Sequence, residues 1–415
     1  MRGIALEGGG AKGSFHIGAI KALKELGVDF QVVAGTSIGA INGALIAAGQ
    51  FEMLETLWET LEMKDMIGGD TELIKKLMNF DVKTDPHRIK AFFSDMIKQG
   101  GLDVTPFKEK LKSLVDEETL RKSDINYGLV TVSLTDMKPV ELFIEDIPEG
   151  KLHDYIIASA NIPGFADEKI DNKKMLDGAF FDNLPINMLL EKGCDQVIAI
   201  RVMGIGRIRR VPKNQQSKVI TIEPSEDLGK TLEIDTVRAK HNIQMGYFDT
   251  MRVMKQLHGF RYYLSDMEDE SYFLKKLVEI KVETLEEIGK FLSFNKPAHR
   301  MMFEEMIPLL AEILKAEKSD SYGTLVLRYY EFLAEQAGID RFEIMRYQEL
   351  VRRVNNHYLS QVKTYDNLKD DIVKRLISTL PSKSVLLFPQ KLKNELLIHL
   401  FYILAQGMEM SRNYQ

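Results

Sequence analysis

The hydrophobic pattern opens with two short apolar runs, each ending in glycine and giving way to a helical period. Gly3 to Leu6 leads through a glycine-rich loop into a helical segment from about Ser14 to Leu26. Gln31 to Ala34 leads into a second one that carries Ile41, Ala44, Leu45 and Ala48. Strand, loop and helix repeated in this way predict the start of a parallel α/β sheet. From Phe51 to about Arg121 the period is helical. Trp58, Leu61, Leu73, Leu77, Ile89, Phe92, Phe93, Leu111 and Leu114 recur at helical spacing, with breaks at Gly68-Gly69, Asp85-Pro86 and Gly100-Gly101. This stretch reads as a helical insertion between strands. Strand patterns return at Tyr127 to Ser133, Val140 to Ile144, Lys174 to Leu176, Gln196 to Val202 and Lys218 to Ile222, and a helix around Ile186 to Lys192 leads into the fourth. The sheet is expected to run to about residue 222.

A long helix from Thr236 to Leu257 follows, with Met245, Phe248, Met251, Met254 and Leu257 along one side, and then Tyr262-Tyr263-Leu264. Methionines at that spacing are core material. Past Ser265 helical periodicity dominates and no further strand-turn-strand pattern occurs. Pro297, Pro308, Pro381 and Pro389 mark where helices begin or bend. The division predicted is an α/β domain over 1–265, with its insertion at 51–121, and an all-helical region over 266–415.

Composition narrows the class. The chain has 415 residues, 45% of them hydrophobic, enough for a large core. Its net charge of −6 and pI near 5.9 give no electrostatic reason to expect nucleic acid. The single Cys194 can form no internal disulfide; it suits a reducing compartment and is expected to be a small buried hydrophobe. An apolar run begins at Ile4, leaving no room for a signal peptide, and no stretch approaches the roughly 20 apolar residues of a spanning helix. A cytoplasmic protein is expected, at most peripheral at a membrane.

The candidate chemistry gathers at the ends of the first two strands. Val32 to Ala40 contains Gly35-Thr36-Ser37-Ile38-Gly39, the pattern of a nucleophile elbow, in which a strand turns sharply into a helix around one displayed residue. Ser37 is that residue. Before it, Leu6-Glu7-Gly8-Gly9-Gly10-Ala11-Lys12-Gly13 joins strand to helix where backbone amides and the helix dipole favour negative charge. Gly8, Gly10 and Gly13 also satisfy GxGxxG. A dinucleotide fold, however, needs an acid at the end of its second strand, where Ala34 to Ser37 stand, and Asp29 precedes that strand. A phosphate-binding GxxxxGK[ST] loop fails because Lys12 precedes Gly13. What remains is an oxyanion hole, with the amides of Gly9, Gly10 and Ala11 facing Ser37 across one carbonyl group, each such donor being worth about 3 kcal/mol in acyl transfer.

Ser37 needs a base. His16 is nearest in sequence but shares a helix face with Ile20 and Leu23, which favours a packed role, and His153 and His241 have no flanking signature. Asp177, in Met175-Leu176-Asp177-Gly178-Ala179-Phe180, ends a short strand and is followed by two small residues that let another backbone approach. Alone it reads as a turn.

Taken together, the glycine loop of the form GGGx[RK]G, the GxSxG elbow and the later DG[GA] occur in the order found in the patatin-like phospholipase family, which the chain closely resembles over roughly residues 1–265. The stretch Ala158-Ser159-Ala160-Asn161-Ile162-Pro163-Gly164-Phe165 and Asp182-Asn183-Leu184-Pro185 are similar to that family's surroundings of its catalytic aspartate. The resemblance implies a patatin-like three-layer α/β/α fold with a mostly parallel sheet, and a Ser37–Asp177 dyad without histidine. It also implies an oxyanion hole in the loop of Gly8, Gly9, Gly10, Ala11 and Lys12, and no metal or cofactor. His16 matches a position often held by histidine in bacterial members, where it is not the base. Lys12 stands where arginine is commoner, and Ala179 replaces a frequent glycine. The expected activity is hydrolysis of fatty-acyl esters through an acyl-enzyme. An acyltransferase using the same intermediate is the close alternative, and a catalytically silent interaction protein the distant one.

Two further features are weighed. Arg201 and then Gly204 to Lys213 make a basic run in an acidic chain, and Arg207, Arg209 and Arg210 are candidate contacts for anionic headgroups, against the plainer reading of a solvated loop. The last helix carries Leu392, Leu396, Leu397, Leu400, Phe401, Ile403 and Leu404 on a broad face. Packing within the helical region is the default, and an interfacial or homo-oligomer-forming face the alternative.

Overall fold

The computed structural model describes residues 1–61, 105–163, 169–361 and 382–412. The expected helical positions Leu73, Leu77, Ile89, Phe92 and Phe93, the three glycine and proline breaks between them, and Gly164, Phe165 and Pro381 lie outside the described residues. The chain divides into two compact units, Met1–Gln256 and Leu257–Gln415.

The first unit is built on an eight-stranded sheet. Its strands are β1 (Arg2–Leu6), β2 (Val32–Thr36), β3 (Asn126–Ser133), β4 (Lys138–Phe143), β5 (Lys169–Ile170), β6 (Lys173–Asp177), β7 (Gln196–Ile200) and β8 (Val219–Ile222). The order is β5-β6-β3-β2-β1-β7-β8, with β4 also paired to β3. The strands from β3 through β2, β1 and β7 to β8 are mutually parallel; β4 and β6 run antiparallel to β3. The continuous apolar spelling of β1, β2 and β7 follows from burial on both faces. One layer over the sheet contains the helix Ile186–Glu191 with Leu184, Leu189 and Cys194, the latter fully buried as expected of a small hydrophobe.

The other layer is led by α1 (Ser14–Glu25), α2 (Ile38–Ala47) and α3 (Phe51–Thr60), and by the helix Thr236–Lys255 crossing α1. That crossing is close because Gly18 has no side chain: a Cβ there would lie 1.8 Å from the Ile243 carbonyl oxygen. On the long helix Met245 and Met251 are buried, while Phe248 and Met254 are only partly so. Among the described residues, the expected strands of this unit and its helices outside the 51–121 insertion are present within a few residues of their predicted ends.

The second unit is chiefly helical around its own core, to which Leu396, Leu397, Leu400, Phe401 and Ile403 belong. Most of the broad face of the last helix therefore packs inside the unit, with Leu392 and Leu404 partly buried. The unit is not purely helical. Tyr263–Leu264 and Ile344–Met345 form a two-stranded parallel pair, and the second strand, two residues long, is too short to show a period. Among the described residues no helix is long and apolar enough to cross a membrane.

Candidate active site

The sheet register explains how Ser37 and Asp177 meet. One edge of β3 is shared between two strands: β2 pairs along it up to Thr36, opposite Val130, and β6 takes over at the next position, with Asp177 opposite Thr131. Two chain segments thus meet end to end on one edge. Ser37 is the residue after Thr36, so it stands beside Asp177, and its hydroxyl lowers the pKa of that carboxylate. That carboxylate accepts the Ala179 amide on Oδ1 at 2.8 Å. Asp177 is 1% exposed, and burial, which disfavours its charged form, pushes its carboxyl up to about 6 despite those two groups.

Ser37 is held in a backbone conformation that ordinary residues avoid, with φ 55° and ψ −123°. The elbow glycines make the turn feasible. A Cβ at Gly35 would stand 2.1 Å from the Gly39 carbonyl oxygen, and one at Gly39 would stand 2.3 Å from that of Leu6. The Ser37 amide falls outside both the strand ladder and the helix, and the buried Ser159 hydroxyl accepts it at 3.0 Å while donating to the Val130 carbonyl at 2.7 Å. Two residues on, the Asn161 carbonyl accepts the Asp177 amide at 2.9 Å, and the Asn161 side-chain amide donates to the Met175 carbonyl at 3.0 Å. A single turn at 159–161 thereby fixes both members of the pair. In the sequence this stretch stands out only by its family likeness. A buried serine and asparagine at the end of a helix were the available signal.

The glycine loop follows β1, whose Leu6 is level with Gly35, so it emerges beside the elbow. At Gly8 an added Cβ would sit 3.1 Å from the Ser37 Cβ. Asn183 grips the loop from the other side: its carbonyl accepts the Gly8 amide and its side chain donates to the Gly8 carbonyl, both at 3.0 Å. Thr36 is bonded to the Asp182 carbonyl at 2.8 Å. Three of the five amides expected to serve an oxyanion are engaged elsewhere, that of Gly8 by Asn183, that of Ala11 by the Thr231 carbonyl at 2.8 Å and that of Lys12 by the Gly9 carbonyl at 3.3 Å. The Lys12 ammonium is buried and donates to the Met203 carbonyl at 2.9 Å. Glu7, also buried, accepts the amides of Val202 and Met203 at 2.6 and 3.0 Å, and desolvation raises its pKa.

His16 is fully buried beneath this site. Asn42 on α2 donates to its Nδ1 at 3.2 Å and to the Gly13 carbonyl at 3.0 Å, and accepts from the Trp58 indole at 3.0 Å. Burial drives the imidazole pKa down to about 3, so it stays neutral and braces α1, α2 and α3 against one another.

The basic run forms a loop after β7 that lies against the Asp177 turn. The Arg207 amide donates to the Ala179 carbonyl at 2.8 Å, and the Asn183 amide to the Arg207 carbonyl at 2.6 Å. Arg207 and Arg210 are exposed. Arg209 departs from the expectation of a headgroup contact: its guanidinium is drawn back to Glu141 at 3.0 Å and Glu191 at 3.5 Å and lies over the Phe181 ring. Its backbone amide donates to Asp182, whose carboxyl burial pushes up to about 6. Opposite charges distant in sequence decide the matter, and no local pattern announces them.

Residues 4–190 match the family model described as Patatin-like phospholipase. The chain is 27% identical over 202 residues to Patatin-like phospholipase domain-containing protein 7 of Mus musculus, covering 48% of this chain and 13% of that one. It is 28% identical over 205 residues to Lysophospholipase NTE1 of Kluyveromyces lactis, covering 49% and 13%. To an uncharacterized NTE family protein of Mycobacterium bovis it is 28% identical over 202 residues, covering 48% and 49%. The chain thus spans about an eighth of the first two relatives and about half of the third. Among solved structures it is similar to VipD from Legionella pneumophila, with 15% identity, a TM-score of 0.38, and coverage of 97% of this chain and 91% of that one. To the type III effector protein ExoU the identity is 15%, the TM-score 0.31, and the coverage 86% and 71%. Over residues 4–190 the chain carries a domain of the patatin-like phospholipase family.

Proposed function

We propose that this chain is a lipid acyl hydrolase in which Ser37 is the nucleophile and Asp177 its base, with a glycerolipid or lysolipid ester as substrate. The observation that carries the reading is the meeting of β2 and β6 end to end on β3, which sets Ser37, on a strained strand-to-helix turn, beside the buried Asp177 carboxylate. The names of the relatives, phospholipase domain protein and lysophospholipase, favour that substrate class.

In the first half-reaction Ser37 Oγ bonds to the ester carbonyl carbon as its proton passes to Asp177. The carbonyl π electrons move onto oxygen, and the loop amides of Gly9 and Gly10, for which the described hydrogen bonds give no acceptor, stabilise that oxyanion. When the tetrahedral species collapses, the bond to the leaving alcohol breaks and Asp177 returns the proton to it. In the second half, Asp177 takes a proton from water, the water oxygen attacks the acyl-serine, and Ser37 leaves protonated with release of a fatty acid. A carboxylate with a pKa near 4 is a poor base for this. Burial raises its basicity, and a bound acyl chain excludes more water from the site.

The test is release of free fatty acid from a panel of phospholipids and lysophospholipids by the full chain. Ser37→Ala and Asp177→Asn should each lower the rate at least about 10³-fold. Either variant keeping near-normal activity would overturn the assignment.

A further inference from the structure

The loop after β7 and the Asp177 turn present an unusual surface together. Phe180 and Ile205 are each 55% exposed and Met203 is 50% exposed, with Ile208 also at the surface. They are neighbours, because the Arg207 amide is bonded to the Ala179 carbonyl and so ties the loop to the residue preceding Phe180. The loop is not free to fold these side chains inward. Glu7 holds the amides of Val202 and Met203, Asp182 holds that of Arg209, and the Asn183 amide holds the Arg207 carbonyl. Three large apolar side chains are thus exposed on a loop pinned by buried carboxylates, with Phe180 exposed on the turn beside it.

The charge around them is as selective. From Arg201 to Lys213 there are five basic residues and no acidic one, in a chain of net charge −6. Arg201 is spent on Glu223 and Glu7, and Arg209 on Glu141 and Glu191. Arg207 and Arg210 are exposed, and among the described residues no ion pair involves them. Apolar tips flanked by exposed arginines suit a surface that is apolar at depth and anionic at its face, which is a bilayer with acidic headgroups.

We infer that Phe180, Met203, Ile205 and Ile208 with Arg207 and Arg210 form an interfacial docking rim that seats the active-site edge of the first unit on an anionic lipid bilayer. The inference takes its motive from the lipid hydrolase reading, but its test does not depend on turnover. The full chain carrying Ser37→Ala, so that no lipid is consumed, is sedimented with vesicles of phosphatidylcholine alone and of phosphatidylcholine with about one third phosphatidylglycerol. Binding should favour the acidic vesicles. Adding Arg207→Ala and Arg210→Ala should weaken binding to them about 30-fold, as expected for two basic residues at such a surface. Adding Ile205→Ser instead should weaken binding to both vesicle types. Thermal melting reports whether each variant is folded. In the background with Ser37 intact, the same loop changes should spare hydrolysis of a soluble, monomeric short-chain ester while lowering hydrolysis of vesicle lipid. Absence of vesicle binding by the parent, or binding indifferent to all three loop changes, would overturn the rim. Loop-dependent binding by a protein that hydrolyses neither kind of ester would uphold the rim and remove the hydrolase reading.

Discussion

At the scale of single residues, the site turns on one carboxylate. As the proposed base Asp177 must be ionised to accept the Ser37 proton, and burial raises its carboxyl to about 6 from the usual value of 3.8. Activity on a soluble ester should therefore fall about tenfold per pH unit below about 6 and level off above it. Asp182 is raised to the same range but is bonded to the amides of Leu184 and Arg209. In Asp182→Asn the acid limb should consequently stay where it is. Activity flat between pH 4 and 8, or a limb that moves with Asp182, would count against Asp177 as the base. The linkage sign follows from the raised value. The fold binds this proton more tightly than the unfolded chain does, so the cost to stability, about 3 kcal/mol for a two-unit shift, is present above about pH 6 and disappears as the pH falls through 4.

At the scale of elements, close backbone approaches position the chemistry. The helix Thr236–Lys255 packs directly on the start of α1, where a Cβ at Gly246 would lie 2.1 Å from the Phe15 carbonyl oxygen. Gly18→Ala should gain up to about 1 kcal/mol in helix propensity. It must also seat a methyl 1.8 Å from the Ile243 carbonyl oxygen and 2.6 Å from the Tyr247 amide, and main chain on a packed helix yields little. The clash wins, and denaturant unfolding should show a net loss of about 1–3 kcal/mol; an unchanged midpoint would show that the helices slide apart freely. Much of this architecture was legible in the chain. The strands β1, β2 and β7 are apolar runs because both faces are buried, and Gly35 and Gly39 bracket Ser37 because nothing larger fits. Other features were hidden for a common reason. The β3 edge shared by β2 and β6, the anchoring of Ser37 by Ser159 and of Asp177 by Asn161, and the withdrawal of Arg209 onto Glu141 are pairings between residues tens of positions apart, and local periodicity carries no information about them. The short strand Ile344–Met345 was hidden for want of length.

At the scale of the whole molecule, every residue assigned to the chemistry lies in the first unit, between Glu7 and Arg210, while the second unit closes its own core with the last helix. The chain carries a net charge of −6, whereas the loop from Arg201 to Lys213 beside the active site has five basic residues and no acidic one. The proposed chemistry requires that Ser37 be a nucleophile made reactive by Asp177. It is tested most directly by treating the full chain with a fluorophosphonate and locating the adduct by peptide mass spectrometry. A single adduct is predicted on Ser37, absent in Ser37→Ala and formed at least about 100-fold more slowly in Asp177→Asn. An unlabelled Ser37, or one labelled equally fast without the Asp177 carboxylate, would contradict the account.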